Sequence, residues 1–373
     1  MTTEFDRRFF LAAAAAAAIP WPALAQRRSG RSMIIVNALG GLNDPNVERE
    51  ADRRMLSGRV IADGRASGLT AVNVTMGYVA GDEEPFEQSV REIARWDARV
   101  RRRPADLLQV LTAADILRAK RERRIGLICG FQNAAMLGAD SSRVEVFADL
   151  GVRVIQLTYN PANTLGDGSM APQNRGLTRF GREVVERLNA ARLMVDLSHS
   201  GERTCLEAAR ISARPISINH TGCRALVDLP RNKSDEELRL VASRGGFVGI
   251  YFMPFVDARS VCTAADVVAH LDHAVNVCGE DHVGIGTDGG TTGVDDMAAY
   301  RAAMRAEVAG RRAAGIGARG ENPDTLPFCE ELSGPGQYRR LIALLEARNW
   351  PPRRIEKVMG LNFVAFAREV WGS

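Results

Sequence analysis

The sequence predicts a single α/β domain folded as a (β/α)8 (TIM) barrel with helices closing its C-terminal end. Two patterns carry this. Eight short apolar runs rich in β-branched residues recur along the chain, at 33–36, 69–74, 125–129, 152–157, 193–197, 215–218, 246–252 and 283–285. The segments between them carry helical periodicity, as at 179–193 and 235–243. Continuous apolar strands alternating with amphipathic helices build a parallel sheet covered by helices, and eight such units favour a closed barrel.

The length of 373 residues accommodates one barrel, and 46% hydrophobic with 25% charged residues is ordinary for a chain with a large core. Residues 295–320 are rich in Ala, Arg and Glu and read as a helical insertion after the eighth strand. Residues 337–371 read as two closing helices, broken at Trp350-Pro351-Pro352 and near Gly360.

The N-terminus does not belong to this domain. Arg7 and Arg8 precede an apolar stretch dominated by alanines 12–18, and Ala23-Leu24-Ala25 follows. That is the pattern of a twin-arginine export signal over residues 1–25, with Gln26 the first mature residue and the periplasm the destination. As a membrane anchor the apolar run is too short to cross a bilayer unaided, so no stable span is expected in the mature domain, 26–373.

A net charge of +4 is too mild to imply nucleic acid as a partner. Arg99 to Arg103 read better as a solvated helix end before Pro104 than as an anion patch. Six cysteines carry no C-x-x-C spacing, so buried apolar thiols are expected rather than zinc ligands. An oxidising compartment would permit disulfides among them, and the sequence singles out no pairing.

In such a barrel the working residues sit past the C-terminal ends of the strands. Asp196-Leu-Ser-His199 follows the fifth run and Ile218-Asn-His220 the sixth. Neighbouring strands lie about 4.8 Å apart, so histidines at equivalent ends can reach one ion at about 2.1 Å each. Gly286-Thr-Asp288-Gly-Gly290 follows the eighth run, across the mouth, where a carboxylate could take a proton from water. One histidine past a strand is more often a hydrogen-bonded structural residue; two on successive ends facing a glycine-flanked aspartate outweigh that reading. His270, His273 and His282 are read as structural.

At these residues the chain resembles the membrane (renal) dipeptidase family of zinc metallopeptidases, which are amidohydrolase-like barrels. The most specific block runs from Gly176-Leu-Thr-Arg-Phe-Gly-Arg-Glu-Val-Val through Met194-Val-Asp-Leu-Ser-His199 to His220. It corresponds to the family's G-L-T/S, F-G-x-E-V-V and D-L/V-S-H. Supporting blocks are Gly151 to Asn160 with Gly166-Asp-Gly168, Arg231-Asn232, His282 to Asp288, and Gly360-Leu-Asn-Phe363, in family order from about residue 33 to residue 371.

The resemblance implies that His199 and His220 bind metal, that Asp288 lies near the catalytic water, and that Arg231 clamps a substrate carboxylate. A guanidinium suits that task through paired hydrogen bonds. Tyr159 stands where the family has a histidine for the scissile carbonyl, and its phenol could donate there. Two departures go deeper. The first-strand H-x-D motif is replaced, leaving Leu39 and Gly41 at the ligand positions; a register shifted to Asp44 would restore the aspartate but not the histidine. Gln132 replaces the bridging glutamate, and a neutral amide bridges two cations poorly.

The expectation is therefore one zinc ion, held by His199 and His220 with Gln132, in a hydrolase of a dipeptide or similar small amide with a free carboxylate. The alternative is a hydrolytically inactive barrel that binds a peptide-like ligand or assists a periplasmic tailoring pathway. Family members often form dimers, so a homodimer is the oligomer the resemblance implies.

Overall fold

Buried apolar strands satisfy their backbone only side by side, and here they do so in chain order. The computed structural model describes residues 33–47, 55–313 and 321–372. The leader read at 1–25 and the end of the insertion, 314–320, lie outside the described residues.

The strands are β1 (Val36–Gly40), β2 (Ala71–Thr75), β3 (Leu107–Gln109), β4 (Ile125–Phe131), β5 (Val152–Gln156), β6 (Met194–Asp196), β7 (Ser217–Thr221), β8 (Phe247–Ile250) and β9 (Val283–Ile285). All pair in parallel, in the order β1-β2-β4-β5-β6-β7-β8-β9. Side chains and loop backbone bridge the seam between β9 and β1. Thr287 N donates to Asn37 Oδ1 and Asn37 Nδ2 to Thr287 Oγ1, both at 2.8 Å. Asp288 N reaches Leu39 O at 2.9 Å and Gly41 N reaches Gly289 O at 3.1 Å.

Two details differ from the sequence reading. The first strand runs on past the apolar run to Gly40, with the Asn37 amide buried in the seam. The strand β3 escapes detection because only Leu107 and Leu108 mark it. It covers the lower half of β4, Leu107 opposite Ile125, where β5 has not yet begun to pair.

The helices cover the outside in the expected alternation. The helix Arg179–Ala190 starts where Thr178 accepts from Gly181 N, and Asp235–Ser243 starts in a capping box of Ser234 and Glu237. The insertion after β9 contains the helix Met297–Ala313, tied back to the returning chain by Arg305 to Asp324 at 2.7 Å and by Tyr300 against Phe328. Among the described residues no helix is long and apolar enough to cross a membrane.

The C-terminal helix Asn362–Trp371 stoppers the N-terminal end of the barrel. Phe363 meets Phe247 edge-on at 5.3 Å and Phe366 stacks on it, in one cluster with Val36, Ala71 and Met194 from the starts of three strands. The opposite, C-terminal end is the open one. There β7 crowds its neighbours so closely that Cβ atoms at Gly249 and Gly286 would lie 2.0 and 1.9 Å from Asn219 O. Gly286→Ala is therefore expected to lower stability by about 2–3 kcal/mol, read as a lower midpoint in urea denaturation.

Candidate active site

The open mouth is organised by a buried carboxylate. At the end of β6, Asp196 Oδ1 accepts from Ser198 N at 3.0 Å, Ser198 Oγ at 2.5 Å and Asn219 N at 3.0 Å. Ser198 Oγ in turn accepts from His220 N at 3.1 Å. This fixes the tips of β6 and β7 relative to each other, and with them the two histidines. His199 lies just past β6, and His220 lies inside β7, one residue before its end.

The imidazoles converge, with His199 Nε2 and His220 Nε2 3.0 Å apart. His199 Nδ1 lies 2.7 Å from Asn160 Oδ1. An amide oxygen only accepts, so Nδ1 carries the proton and the His199 Nε2 lone pair faces His220. Burial, then the positive charge of Arg231, push both histidines well below the usual imidazole range. Both rings are thus neutral at physiological pH, the form that binds metal. His220 Nδ1 is buried without a partner.

Tyr159 stacks on His199 at 4.3 Å between centroids. Arg231 is buried beneath the pair, donating from Nη1 to Ser198 O at 2.5 Å with its guanidinium over the Tyr251 ring. Its charge acts on His199, His220, Asp196 and Asp288 alike.

Asp288 stands across the mouth in a left-handed backbone conformation, φ 58°, held by the bond to Leu39 O. Aspartate adopts this conformation more readily than most residues other than glycine. Burial, partly offset by Arg231, raises its carboxyl from 3.8 to about 6. A cavity of about 270 Å³ opens beside it, lined by Asn43, Phe252, Tyr300, Phe328 and Gln337 among others.

The remaining sequence candidates are placed differently. Leu39 is buried and Gly41 is spent on the seam. Asp44 accepts from Asn46 within its own turn, so the shifted register is not realised. The Gln132 amide nitrogen donates to Thr75 Oγ1 at 2.7 Å. Among the described residues no cluster of three or more His, Cys, Asp or Glu could hold a metal. His270, His273 and His282 bond to Val256 O, Asp235 and Gly246 O in structural roles.

Asn160, Asp196, Ser198 and Tyr251 were not assigned roles from sequence. The available signal was a carboxylate at the end of an apolar strand, two residues from a second polar side chain on the same face.

The chemistry of the two converging imidazoles fits a divalent metal. Two neutral nitrogens must separate to about 3.4 Å to share a tetrahedral metal, a small opening from their present spacing. Leu39 and Gly41 offer no side-chain ligand at the tip of β1.

A parallel barrel with two neutral imidazoles converging at its mouth, opposite a glycine-flanked carboxylate, defines an amidohydrolase-like protein. The chain belongs to the membrane dipeptidase family (Peptidase family M19), whose profile matches residues 55–306. Dipeptidase tcpJ of Claviceps purpurea is 29% identical over 262 residues, 69% of this chain but only 54% of that relative's length. An amidohydrolase from Pseudomonas aeruginosa superposes with a TM-score of 0.76 at 31% identity, covering 92% of this chain and 98% of that one. A metallo peptidase from Rhodobacter sphaeroides, 19% identical with a TM-score of 0.73 over 91% of this chain and 100% of that one, shares the fold.

The Asp288 carboxyl gives a pH test. A carboxyl with a raised folded pKa holds its proton more tightly when folded, so it costs stability as pH rises from about 4 through about 6. In metal-free protein, Asp288→Asn is expected to gain stability over wild type across that window by about 1–2 kcal/mol, allowing for partial exposure, in paired urea melts.

Proposed function

We propose that this protein is a metal-dependent hydrolase of a dipeptide, or a similar small amide with a free carboxylate, working with a single divalent ion, zinc by family habit. The observation that carries the proposal is the convergence of His199 and His220 in their neutral form. Family membership and the dipeptidase name of the Claviceps relative support the substrate class.

His199 and His220 would hold the ion, which would supply Lewis acidity for a carbonyl and a more acidic water. Asp288, with a carboxyl near 6, is ionised at neutral pH and suited to take a proton from the attacking water. The Tyr159 phenol is suited to donate to the substrate carbonyl, and the Arg231 guanidinium, with donors beyond the one given to Ser198, to bind the substrate carboxylate. The cavity beside Asp288 offers room for the remainder of the substrate.

Purified protein loaded with zinc is expected to retain about one equivalent, and His220→Ala well under that, by elemental analysis. Wild type should then hydrolyse members of a dipeptide library and His199→Ala should not. Equal metal content in both forms ends the metal proposal. The replacements at Leu39, Gly41 and Gln132 favour a second reading, a binding barrel without turnover. Ligand-dependent stabilisation with no hydrolysis by metal-loaded wild type would select it.

The same proposal places the protein in the periplasm, on the strength of Arg7-Arg8 and Ala23-Leu24-Ala25. The exported form is expected to begin at Gln26 on N-terminal sequencing, and Arg7→Lys with Arg8→Lys should retain the precursor in the cytoplasm. An unprocessed N-terminus in exported protein would overturn this.

A further inference from the structure

The wall of the cavity beside Asp288 is built by a strap, residues 321–336, that returns from the insertion across the end of β8. Asn322 Nδ2 bonds Arg259 O at 2.7 Å, and Cys329 N bonds Phe252 O at 2.7 Å. Glu331 Oε2 accepts from Ala264 N at 2.6 Å. The cavity-lining residues Pro327, Phe328 and Leu332 flank these anchors.

At the same point two cysteines distant in sequence meet. Cys329 is fully buried and its Sγ lies 3.6 Å from Cys262 O. The two thiols are close enough for each to shift the other's ionisation, while Cys262 Sγ points to Thr263 O at 3.7 Å. Elsewhere Cys223 bonds His270 O, Cys278 bonds Leu238 O, and Cys129 sits against Gln109.

We infer that Cys262 and Cys329 are a disulfide-forming pair that clamps the strap to the barrel after β8. The half-buried Cys262 is the thiol an external disulfide can reach, whether a small molecule or a protein oxidant. Its sulfur attacks that disulfide and releases one thiol. Cys329 then attacks Cys262 Sγ and releases the second, so one S–S bond forms as the oxidant's is reduced. The two cysteine protons pass to the two released thiolates. The contact with Cys329 and burial hold the Cys262 thiol well above its usual range, so its attack is slow, while the same contact and Leu332 N lower the Cys329 pKa and favour it as the resolving thiolate.

The bond would close a loop spanning 67 positions, a length at which cross-linking removes much of the unfolded chain's freedom. This inference stands apart from the hydrolase reading, since it concerns thiols that do not line the histidine pair.

The test uses the purified full chain equilibrated with oxidised glutathione, denatured, alkylated without reduction and mapped by mass spectrometry. The expected result is one peptide linked through Cys262 and Cys329, with the other four cysteines alkylated. Oxidised wild type should melt about 5 °C or more above its reduced form, and Cys262→Ser should show no such difference. In Cys329→Ser, Cys262 should instead retain glutathione as a mixed disulfide. Six alkylated cysteines in the wild type, or a bridge between other positions, would overturn the inference.

Discussion

The geometry of the mouth depends on a charge that never faces it. The strands β6 and β7 share a single ladder position, Asp196 opposite Ser217, so past that point the backbone alone cannot hold them in register. The Asp196 carboxylate takes over, gathering donors from its own strand end and from Asn219 on the next. A buried carboxylate is costly unless its lone pairs are met. Here three donors and the nearby Arg231 charge meet them, although burial still raises the group above the usual carboxylate range. The aim of both imidazoles follows from this arrangement, because Ser198 links the carboxylate to the backbone of His220.

The tip of β1 shows what became of the lost ligand positions. Leu39 and Gly41 contribute main-chain groups to the loop after β9 and so lock Asp288 into its left-handed conformation. A side chain at Gly40 would press within 2.7 Å of Gly289 O, so the close approach depends on small residues at this tip. The tip of β1 is thus part of the closure that positions the Asp288 carboxylate.

Much of this was legible in the sequence. The strands that the apolar runs marked are present, because burial on both faces leaves a continuous hydrophobic signature. Two points were not legible for the same reason: Asn37 and β3 depend on contacts with distant residues, which periodicity does not record. Within the site, His199, His220 and Asp288 stood out because imidazoles and glycine-flanked carboxylates are rare at strand ends. Asp196 and Asn160 did not, since their roles are to hold other residues and appear only when the neighbouring strand is in place. The Gln132 amide nitrogen serves Thr75 on β2, a contact that sequence separation hides.

The aromatic stopper at the base of the barrel has a spatial corollary. With Phe363 and Phe366 filling the far end, the cavity beside Asp288 lies at the opposite end of the barrel, and the strap forms part of its wall. A molecule seated in that cavity would meet the Asp288 carboxyl on one side and Pro327, Phe328 and Leu332 on the other. The room left for it is therefore set by the returning strap as much as by the barrel itself.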